Sequence, residues 1–477
     1  MDIKQKRTPI IEALKKFAEK SPIYYCIPSH HQGRGASETF TDVFGKSMLK
    51  YDLTETPLTD DLHEAEGPIK EAEELAAQLF GADRTFFLVN GTTCANEAMI
   101  TASVSEGEKI LVARNCHKSI LMGLIISGAV PVYIEPEKSR DFFSFGSISP
   151  EKVSMAFEKD PDIKAFILTS PTYYGIGSDL KKIAEICHSH NALLLVDEAH
   201  GAHFAFSDSL PETALSCGAD MVSQSTHKTL NSMTQSSMLH VKGSRADISK
   251  IDASLKIVQS TSPSYILMAS LDAARRNMAV NGTEIVKRMI ETAEYIRVNL
   301  NFINKVHCPE KTYKNEVFSF DKTRIIFSVE GISGFILSEL LFEKYNICCE
   351  MADSHNVIAV IGHSDSLDDA NRLISAVREI ALSYSSEENE TFEFPEIPPA
   401  ALTPRKAFFA KYSRISFDDA VGKISAETIA PYPPGIPVIY PGEIITKDIH
   451  HFIAEAISSN CHIHGFSDKS MKTIKII

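Results

Sequence analysis

The sequence predicts an α/β protein built around a mainly parallel sheet. From Gly67-Pro68 onward, helical periods alternate with short apolar runs, which is typical of units in which a helix links two parallel strands. These runs are continuous rather than alternating with polar residues, as expected for strands covered by helices on both faces. The predicted strands are 86–89, 110–113, 132–134, 165–169 and 193–196.

Other segments surround this alternation. Residues 4–20 place apolar side chains on one helical face, which predicts an amphipathic arm that packs on another surface. A helical stretch from about 282 to 301 leads away from the sheet, and apolar runs at 324–329 and 357–361 predict a smaller α/β segment. The acidic, proline-bearing stretch 385–404 predicts a connector.

These segments predict four parts of the chain. In order they are an amino-terminal arm, a large domain, a small α/β domain and a carboxyl-terminal module, with the bounds 1–60, 61–300, 301–390 and 391–477.

Composition and charge exclude several classes of function. A net charge of −14 opposes nucleic acid as a main partner, because binding to phosphates needs a basic surface. No run of about 18 apolar residues is present that would span a membrane, and basic residues interrupt the first apolar stretch, unlike in a signal peptide. The nine cysteines form no C-x-x-C pair, and the histidine pairs are scattered. We therefore expect a cytoplasmic protein with reduced thiols and no metal site.

The predicted strands end in polar turns. Ligands in open α/β sheets bind beyond the carboxyl ends of the strands, so we expect these turns to form one site. The turns are 90–93, 115–117, 170–172 and 197–200.

The strongest local signal combines an aspartate and a lysine. Asp197 ends an apolar strand, and Lys228 follows in the segment Ser225-Thr226-His227-Lys228. An aspartate can pair with a protonated pyridine nitrogen and a lysine can bond to an aldehyde, and pyridoxal phosphate (PLP) chemistry needs both. Separately, Asp197 could cap a turn and Lys228 could be a solvated surface lysine. Strands that end in aspartate also hold magnesium in other α/β enzymes, so the pair suggests PLP without excluding that alternative.

The turn Asn90-Gly91-Thr92-Thr93 predicts a phosphate site at a helix start. Free amide hydrogens and two hydroxyls precede a helical period that begins near Ala95. The turn has neither the nucleotide-binding loop nor the dinucleotide fingerprint, so a single phosphate fits better than a dinucleotide. A capped helix without a ligand stays an alternative, as does a packed core histidine at His117.

An ordered series of motifs resembles the Orn/Lys/Arg decarboxylases, particularly the short forms of Gram-positive bacteria. This resemblance extends over nearly the whole chain and implies the PLP-dependent fold type I, which is similar to aspartate aminotransferase. The apolar, proline-rich motif 431–437 is the part most specific to the family. The motifs are 60–63, 86–93, 116–119, 196–201, 225–228, 261–263 and 431–437 ahead of 441–443.

The resemblance also implies roles for single residues. Lys228 resembles the lysine that holds PLP covalently, Asp197 the partner of the ring nitrogen, and His117 the imidazole stacked on the ring. Ala199 resembles the residue that packs on the other ring face. The implied phosphate contacts are Thr92, Thr93, Ser225, His227 and, from a neighbouring subunit, Thr261 and Ser262. A homodimer or higher homo-oligomer with active sites at the subunit interface is therefore implied.

The implied reaction is decarboxylation of a basic amino acid. The motifs look most like those of arginine decarboxylases, which form agmatine and carbon dioxide for polyamine synthesis. Lysine or ornithine as substrate, with cadaverine or putrescine as product, and an aminotransferase of the same fold stay open. Glu443, Glu427 and His200 are the implied substrate contacts, although either glutamate could form structural hydrogen bonds instead. The segment 28–31 departs from the Pro-Gly-His-Lys that is usual in the family, which bears on substrate choice.

Overall fold

The computed structural model describes residues 3–309, 316–384, 395–431, 436–458 and 462–477. Contacts divide the chain into two compact units, each discontinuous in sequence. The first unit consists of Met1–Ser103, Leu193–Asp208 and Glu212–Ile285. The second consists of Val104–Ala192, Ser209–Pro211 and Val286–Ile477. The bounds of the four predicted parts stay a prediction.

Strands and helices of the described residues are numbered in chain order. The strands are β1 (Arg84–Leu88), β2 (Lys109–Ala113), β3 (Val130–Ile134), β4 (Lys138–Ser139), β5 (Ser144–Phe145), β6 (Ile163–Thr169), β7 (Ile176–Gly177), β8 (Leu193–Asp197), β9 (Met221–Gln224), β10 (Ser237–Val241), β11 (Val306–His307), β12 (Ser319–Phe320), β13 (Arg324–Val329), β14 (Met351–Ala352), β15 (Val357–Val360), β16 (Ser413–Ser416), β17 (Ala430–Pro431), β18 (Ile463–His464) and β19 (Thr473–Ile476). The α-helices are α1 (Pro9–Glu19), α2 (Glu38–Phe44), α3 (Pro68–Phe80), α4 (Gly91–Ser103), α5 (Lys118–Ser127), α6 (Pro150–Lys159), α7 (Leu180–Ser189), α8 (Thr226–Thr229), α9 (Ile248–Val258), α10 (Tyr265–Asn301), α11 (Gly334–Tyr345), α12 (Leu367–Ser383), α13 (Pro404–Phe409) and α14 (Lys447–Ser458). Short 3-10 helices lie at Ile3–Lys6, Met48–Lys50, Leu62–Glu64, Phe204–Phe206 and Phe417–Asp419.

Four strands of the first unit are hydrogen-bonded in the order β1-β10-β9-β8. β1 with β10 and β10 with β9 are antiparallel, whereas β9 with β8 is parallel. In that last pairing Asp197 lies opposite Ser223. The apolar residues of β8 are almost all buried, so the strand holds Asp197 at its carboxyl end.

In the second unit, β6-β2-β3 form an entirely parallel arrangement. The five predicted strands of the large domain are confirmed, with ends that differ from the prediction by at most two residues. A separate antiparallel sheet in the order β11-β13-β15-β14, with α11 packed on it, confirms the predicted smaller α/β segment. The predicted helix 282–301 is only the second half of α10.

The amino-terminal arm packs as an amphipathic helix. α1 begins at Pro9, where a missing amide hydrogen costs nothing, and buries Ile10 and Leu14. The Ile10 amide donates to Asp272 Oδ2 at 3.0 Å, and Arg275 donates to the Gln5 carbonyl at 2.7 Å. The polar side chains of α10 therefore fix this arm within the first unit.

The carboxyl-terminal part of the second unit has its own apolar core. α14 packs there with residues of β16, β18 and β19. β16 pairs with β19 and β17 pairs with β18, both antiparallel. Residues 432–435 of the proline-rich motif and 385–394 of the predicted connector lie outside the described residues. None of the helices in the described ranges has the length and apolarity that crossing a membrane requires.

Candidate active site

Asp197 lies at the carboxyl end of β8 with its side chain almost fully buried. Its Oδ1 accepts a hydrogen bond from the Ala199 amide at 3.1 Å, and its Oδ2 accepts one from Asn96 Nδ2 at 2.9 Å. These two hydrogen bonds hold both carboxylate oxygens in place. Because a carboxylate can accept roughly four hydrogen bonds, Asp197 can still accept others. A fixed, buried anion of this kind can receive a cationic donor.

Lys228 lies on the short helix α8, directly after β9, and its side chain is exposed. Its Nζ is 3.0 Å from Nε2 of His200, whose side chain is buried. His200 follows β8 and Lys228 follows β9, so the parallel pairing of these strands brings their two turns together. The predicted site residues of both turns thus meet in the first unit.

Two hydroxyls meet at the start of α4. Gly91 opens this helix with a φ of +70°, a left-handed conformation that glycine adopts without strain. Thr92 Oγ1 then lies 3.0 Å from Ser225 Oγ. The Gly91 amide donates to the Gln235 carbonyl at 2.7 Å. The amides that follow it in the first turn of α4 have no partner within the helix, and together with these hydroxyls they can bind an anion. Thr93 is the next residue of the same turn and is partly exposed.

His227 has a defined proton on one ring nitrogen. Its Nδ1 lies 2.8 Å from the Ser236 carbonyl, and because a carbonyl only accepts, Nδ1 must donate. Burial lowers the pKa of His227 below its ordinary value. A neutral ring presents Nε2 as an acceptor, so the predicted contact with a phosphate requires protonation of Nε2.

The exposed loop that carries Thr261 and Ser262 is anchored by the motif 60–63. His63 Nε2 lies 2.9 Å from the Ser260 carbonyl, and the Tyr265 hydroxyl donates to the Asp60 carbonyl. These two contacts give the motif 60–63 a structural role, because they hold the loop that precedes α10. The contribution of the two hydroxyls to a neighbouring subunit stays a prediction.

His117 belongs to the second unit, where it caps α5. Its Nδ1 accepts from the Ser119 amide at 3.2 Å, and its side chain is exposed. The structure therefore assigns it a helix-capping role, and its stacking on a cofactor ring stays a prediction.

Glu443 forms a buried ion pair with Arg114 in the second unit. Its oxygens lie 2.6 and 2.9 Å from the Arg114 guanidinium, and Oε2 also accepts from the Tyr440 amide at 2.7 Å. The guanidinium lies over the Tyr133 and Tyr440 rings, 4.8 and 4.3 Å from their centroids. Burial disfavours the charged guanidinium, but the adjacent Glu443 carboxylate outweighs it and raises the pKa of Arg114. Sequence reasoning did not find Arg114.

Glu427 is likewise buried and hydrogen-bonded within the second unit. Its two oxygens accept from the Ser467 amide at 2.9 Å and from the Lys475 amide at 3.1 Å. These geometries correspond to the structural alternative that the sequence left open for both glutamates. Binding of substrate by Glu427 or Glu443 stays a prediction.

Asn96 and Ser223 are further residues that sequence reasoning missed. Both are fully buried and connect to Asp197. Asn96 lies three residues after Thr93 and so one helical turn further along α4, which is the signal that could have indicated it.

The chain matches two family models, described as Orn/Lys/Arg decarboxylase, major domain, over residues 8–324 and Orn/Lys/Arg decarboxylase, C-terminal domain, over residues 387–471. It is 38% identical over 483 residues to a Bacillus anthracis protein named arginine decarboxylase, covering 100% of this chain and 98% of that protein. A Bacillus subtilis protein of the same name is 38% identical over 482 residues, covering 99% and 98%.

Among solved structures, the constitutive lysine decarboxylase of E. coli matches with a TM-score of 0.85. The identity is 21%, and the match covers 99% of this chain and 82% of the other. Identity at that level shows the fold alone, and it confirms the predicted fold class.

Proposed function

The chain belongs to the Orn/Lys/Arg decarboxylase family, and from that premise we propose that it converts L-arginine to agmatine and carbon dioxide with PLP as cofactor. The reaction class, decarboxylation of an amino acid, follows from the family. One observation supports the cofactor above all others: the fixed Asp197 carboxylate, the Lys228 amine and the Thr92 and Ser225 hydroxyls all belong to the first unit.

The chemistry of these groups fits PLP. Asp197 offers an anionic acceptor to a protonated ring nitrogen, and Lys228 offers an exposed amine to an aldehyde. The Thr92 and Ser225 hydroxyls and the amides that follow Gly91 in the first turn of α4 suit a phosphate. When bound, PLP supplies an electron sink for the electron pair that remains after carbon dioxide leaves.

His200 is placed to exchange a proton with Lys228. At 3.0 Å, one of the two nitrogens must donate and the other accept, so a hydrogen bond along which a proton can pass joins the two side chains. The imidazole can accept that proton from an ammonium and return it to an amine near neutral pH. We assign this proton exchange to His200 in addition to its predicted contact with the substrate.

The choice of arginine is supported by the names of the two Bacillus relatives, which match over nearly their whole length. A net charge of −14 also favours the approach of a cationic amino acid, although it does not discriminate among arginine, lysine and ornithine. The guanidinium prefers planar, bidentate carboxylate partners, whereas an ammonium tolerates freer geometry.

We further propose a homodimer, because Thr261 and Ser262 lie on an exposed loop that a second subunit can reach. The cytoplasm stays our prediction for the compartment, in keeping with the free thiol of each cysteine that the structure describes.

The test is a direct product assay. Purified holoenzyme is incubated separately with arginine, lysine and ornithine, and the amine and carbon dioxide are quantified. We expect agmatine to form fastest. Faster formation of cadaverine or putrescine would overturn the assignment of arginine as the substrate and leave the reaction class intact. No amine from any of the three, in protein that holds PLP, would contradict the proposed function.

A further inference from the structure

We propose that Asn96 and Ser223 are positioning residues that orient Asp197 toward the cofactor ring nitrogen, an inference that rests on the proposed function. The three side chains come from three elements of the first unit, namely α4, β9 and β8. Asn96 and Ser223 have no exposed surface, and Asp197 is 3% exposed. The hydrogen-bonded series Ser223–Asn96–Asp197, here called the relay, therefore lies in the interior, where water does not replace its hydrogen bonds.

The chain of hydrogen bonds has a single consistent direction. Ser223 Oγ donates to Asn96 Oδ1 at 2.8 Å, and Asn96 Nδ2 donates to Asp197 Oδ2 at 2.9 Å. An ionised carboxylate only accepts, so the amide must turn its nitrogen toward Asp197. Its carbonyl oxygen then faces Ser223, whose hydroxyl must be the donor. Asp197 thus determines the orientation of the Asn96 amide, and Ser223 holds the amide there by donating to its carbonyl oxygen.

The backbone holds Ser223 opposite Asp197. The two residues are partners in the parallel pairing of β8 and β9, and the Glu198 amide donates to the Ser223 carbonyl at 2.9 Å. The Ala199 amide holds the other carboxylate oxygen. Rotation of the Asp197 carboxylate would break one of these bonds, so its orientation is determined by α4, by β9 and by the turn after β8.

Replacement of Asn96 by leucine would keep the branching and the number of heavy side-chain atoms of asparagine and remove both hydrogen bonds. Asp197 would lose one fixed donor and the Ser223 hydroxyl would lose its acceptor in a buried site. The aspartate would still be present, but its carboxylate would be free to adopt other orientations. Ser223→Ala makes a smaller change, because it leaves Asn96 in place and only removes the donor to the carbonyl oxygen of its amide.

The experiment measures cofactor affinity rather than turnover alone. Full-length wild-type holoenzyme, Asn96→Leu, Ser223→Ala and the double variant are dialysed against a graded series of PLP concentrations, and bound cofactor is read from its absorbance. We expect the dissociation constant to rise about tenfold for Asn96→Leu, the scale of a hydrogen bond to a charged group, and less for Ser223→Ala. The double variant should match Asn96→Leu, because Ser223 acts through Asn96. With the amino acid that the wild type decarboxylates, kcat should fall while KM changes little.

Asn356→Ala is a matched control. Asn356 is also buried and donates to a buried aspartate, Asp353, at 3.2 Å, but it belongs to the second unit and to no part of the proposed site. We expect this variant to lower thermal stability and to leave the PLP dissociation constant unchanged. If Asn96→Leu fails to fold, Ser223→Ala carries the test, with a measurable rise in the dissociation constant expected.

Three results would overturn the inference, and they are distinguishable. Wild-type protein that binds PLP, with equal affinity in the Asn96 and Ser223 variants, would refute the positioning role alone. Additive losses in the double variant would show that Ser223 does not act through Asn96 and would refute the relay. Wild-type protein without affinity for PLP would refute the proposed function together with this inference.

Discussion

Lys228 Nζ and His200 Nε2 lie 3.0 Å apart, although the two residues are placed on different turns that follow neighbouring parallel strands. Because His200 is buried while Lys228 is exposed, the imidazole is the fixed partner and the lysine the movable one. A lysine that changes its bonding during a reaction needs a nearby group that takes up and returns its proton.

His200→Gln should therefore slow turnover and spare cofactor attachment. Glutamine can hydrogen-bond to Lys228 but cannot exchange a proton near neutral pH. We expect kcat to fall by roughly 10²-fold or more, the scale of a positioned proton donor. Steady-state kinetics and the absorbance of bound PLP measure the two effects. Unchanged kcat would refute the proton exchange by His200.

Lys228 should be the residue that PLP modifies. Reduction of the holoenzyme with borohydride, followed by digestion and mass spectrometry, should place the pyridoxyl group on this lysine. Borohydride reduces the C=N bond that an aldehyde forms with an amine. Lys228→Ala should lose turnover while its thermal unfolding stays near that of the wild type, since an exposed side chain makes few packing contacts. A label on another lysine would refute the assignment.

Asp197→Asn should retain part of the cofactor and decarboxylate far more slowly. The amide keeps the shape of the carboxylate but removes the negative charge that favours a protonated ring nitrogen. We expect a loss of several kcal/mol in transition-state stabilisation, the scale of a preorganised charge contact, measured as the ratio of kcat/KM values. Turnover near the wild-type rate would contradict the proposed role of this charge.

The central site was predictable because its residues end predicted strands. Asp197 and the turn that holds Thr92 follow apolar runs, and topology then brings them together. The pair of Arg114 and Glu443 joins residues 329 positions apart, and no local period indicates such a contact. β10 was not predicted, because Ser237 and His240 interrupt the apolar residues of this buried segment.

Buried polar residues also explain why the predicted start of α10 is too late. Its first half contains Asp272 and Arg275, which are charged and yet fully buried because they bind each other and the backbone of the amino-terminal arm. A hydrophobic pattern treats such residues as exposed, so the periodicity is visible only after about residue 282. Tertiary hydrogen bonds, rather than propensity, decide these positions.

Glu443→Gln should destabilise the second unit. It removes the negative charge opposite the buried Arg114 guanidinium, and breaking a buried pair typically costs about 3 to 5 kcal/mol. Chemical denaturation of the full-length protein measures the loss. If Glu443 also binds the substrate, the substitution would in addition raise the KM for arginine and change the preference for arginine over lysine.

Glu427→Gln is the companion test. In the contacts that the structure describes, the Glu427 carboxylate accepts hydrogen bonds from backbone amides only.

The last prediction concerns His240, a buried histidine of β10 that makes stability depend on pH. Its Nδ1 lies 2.8 Å from Thr85 Oγ1 and its Nε2 3.1 Å from Gln224 Oε1, and burial lowers its pKa to about 3. Between that value and the ordinary histidine pKa of about 6.5, the unfolded chain binds a proton that the folded chain does not. The contribution of His240 to the free energy of unfolding therefore falls as pH is lowered through this window, by about 1.4 kcal/mol per pH unit.

Replacement by glutamine, which does not titrate, should remove this part of the slope between about pH 4 and 6, where the unfolded histidine is largely charged. Urea unfolding at a series of pH values measures the slopes. The variant will be less stable at neutral pH, so the comparison uses slopes and not absolute stabilities. His451→Gln is the control, because His451 is exposed and its pairing with Glu455 lies on the surface. Equal slopes in wild type and His240→Gln would show that His240 is protonated as readily in the folded protein as in the unfolded chain, with Nδ1 then donating to Thr85 Oγ1.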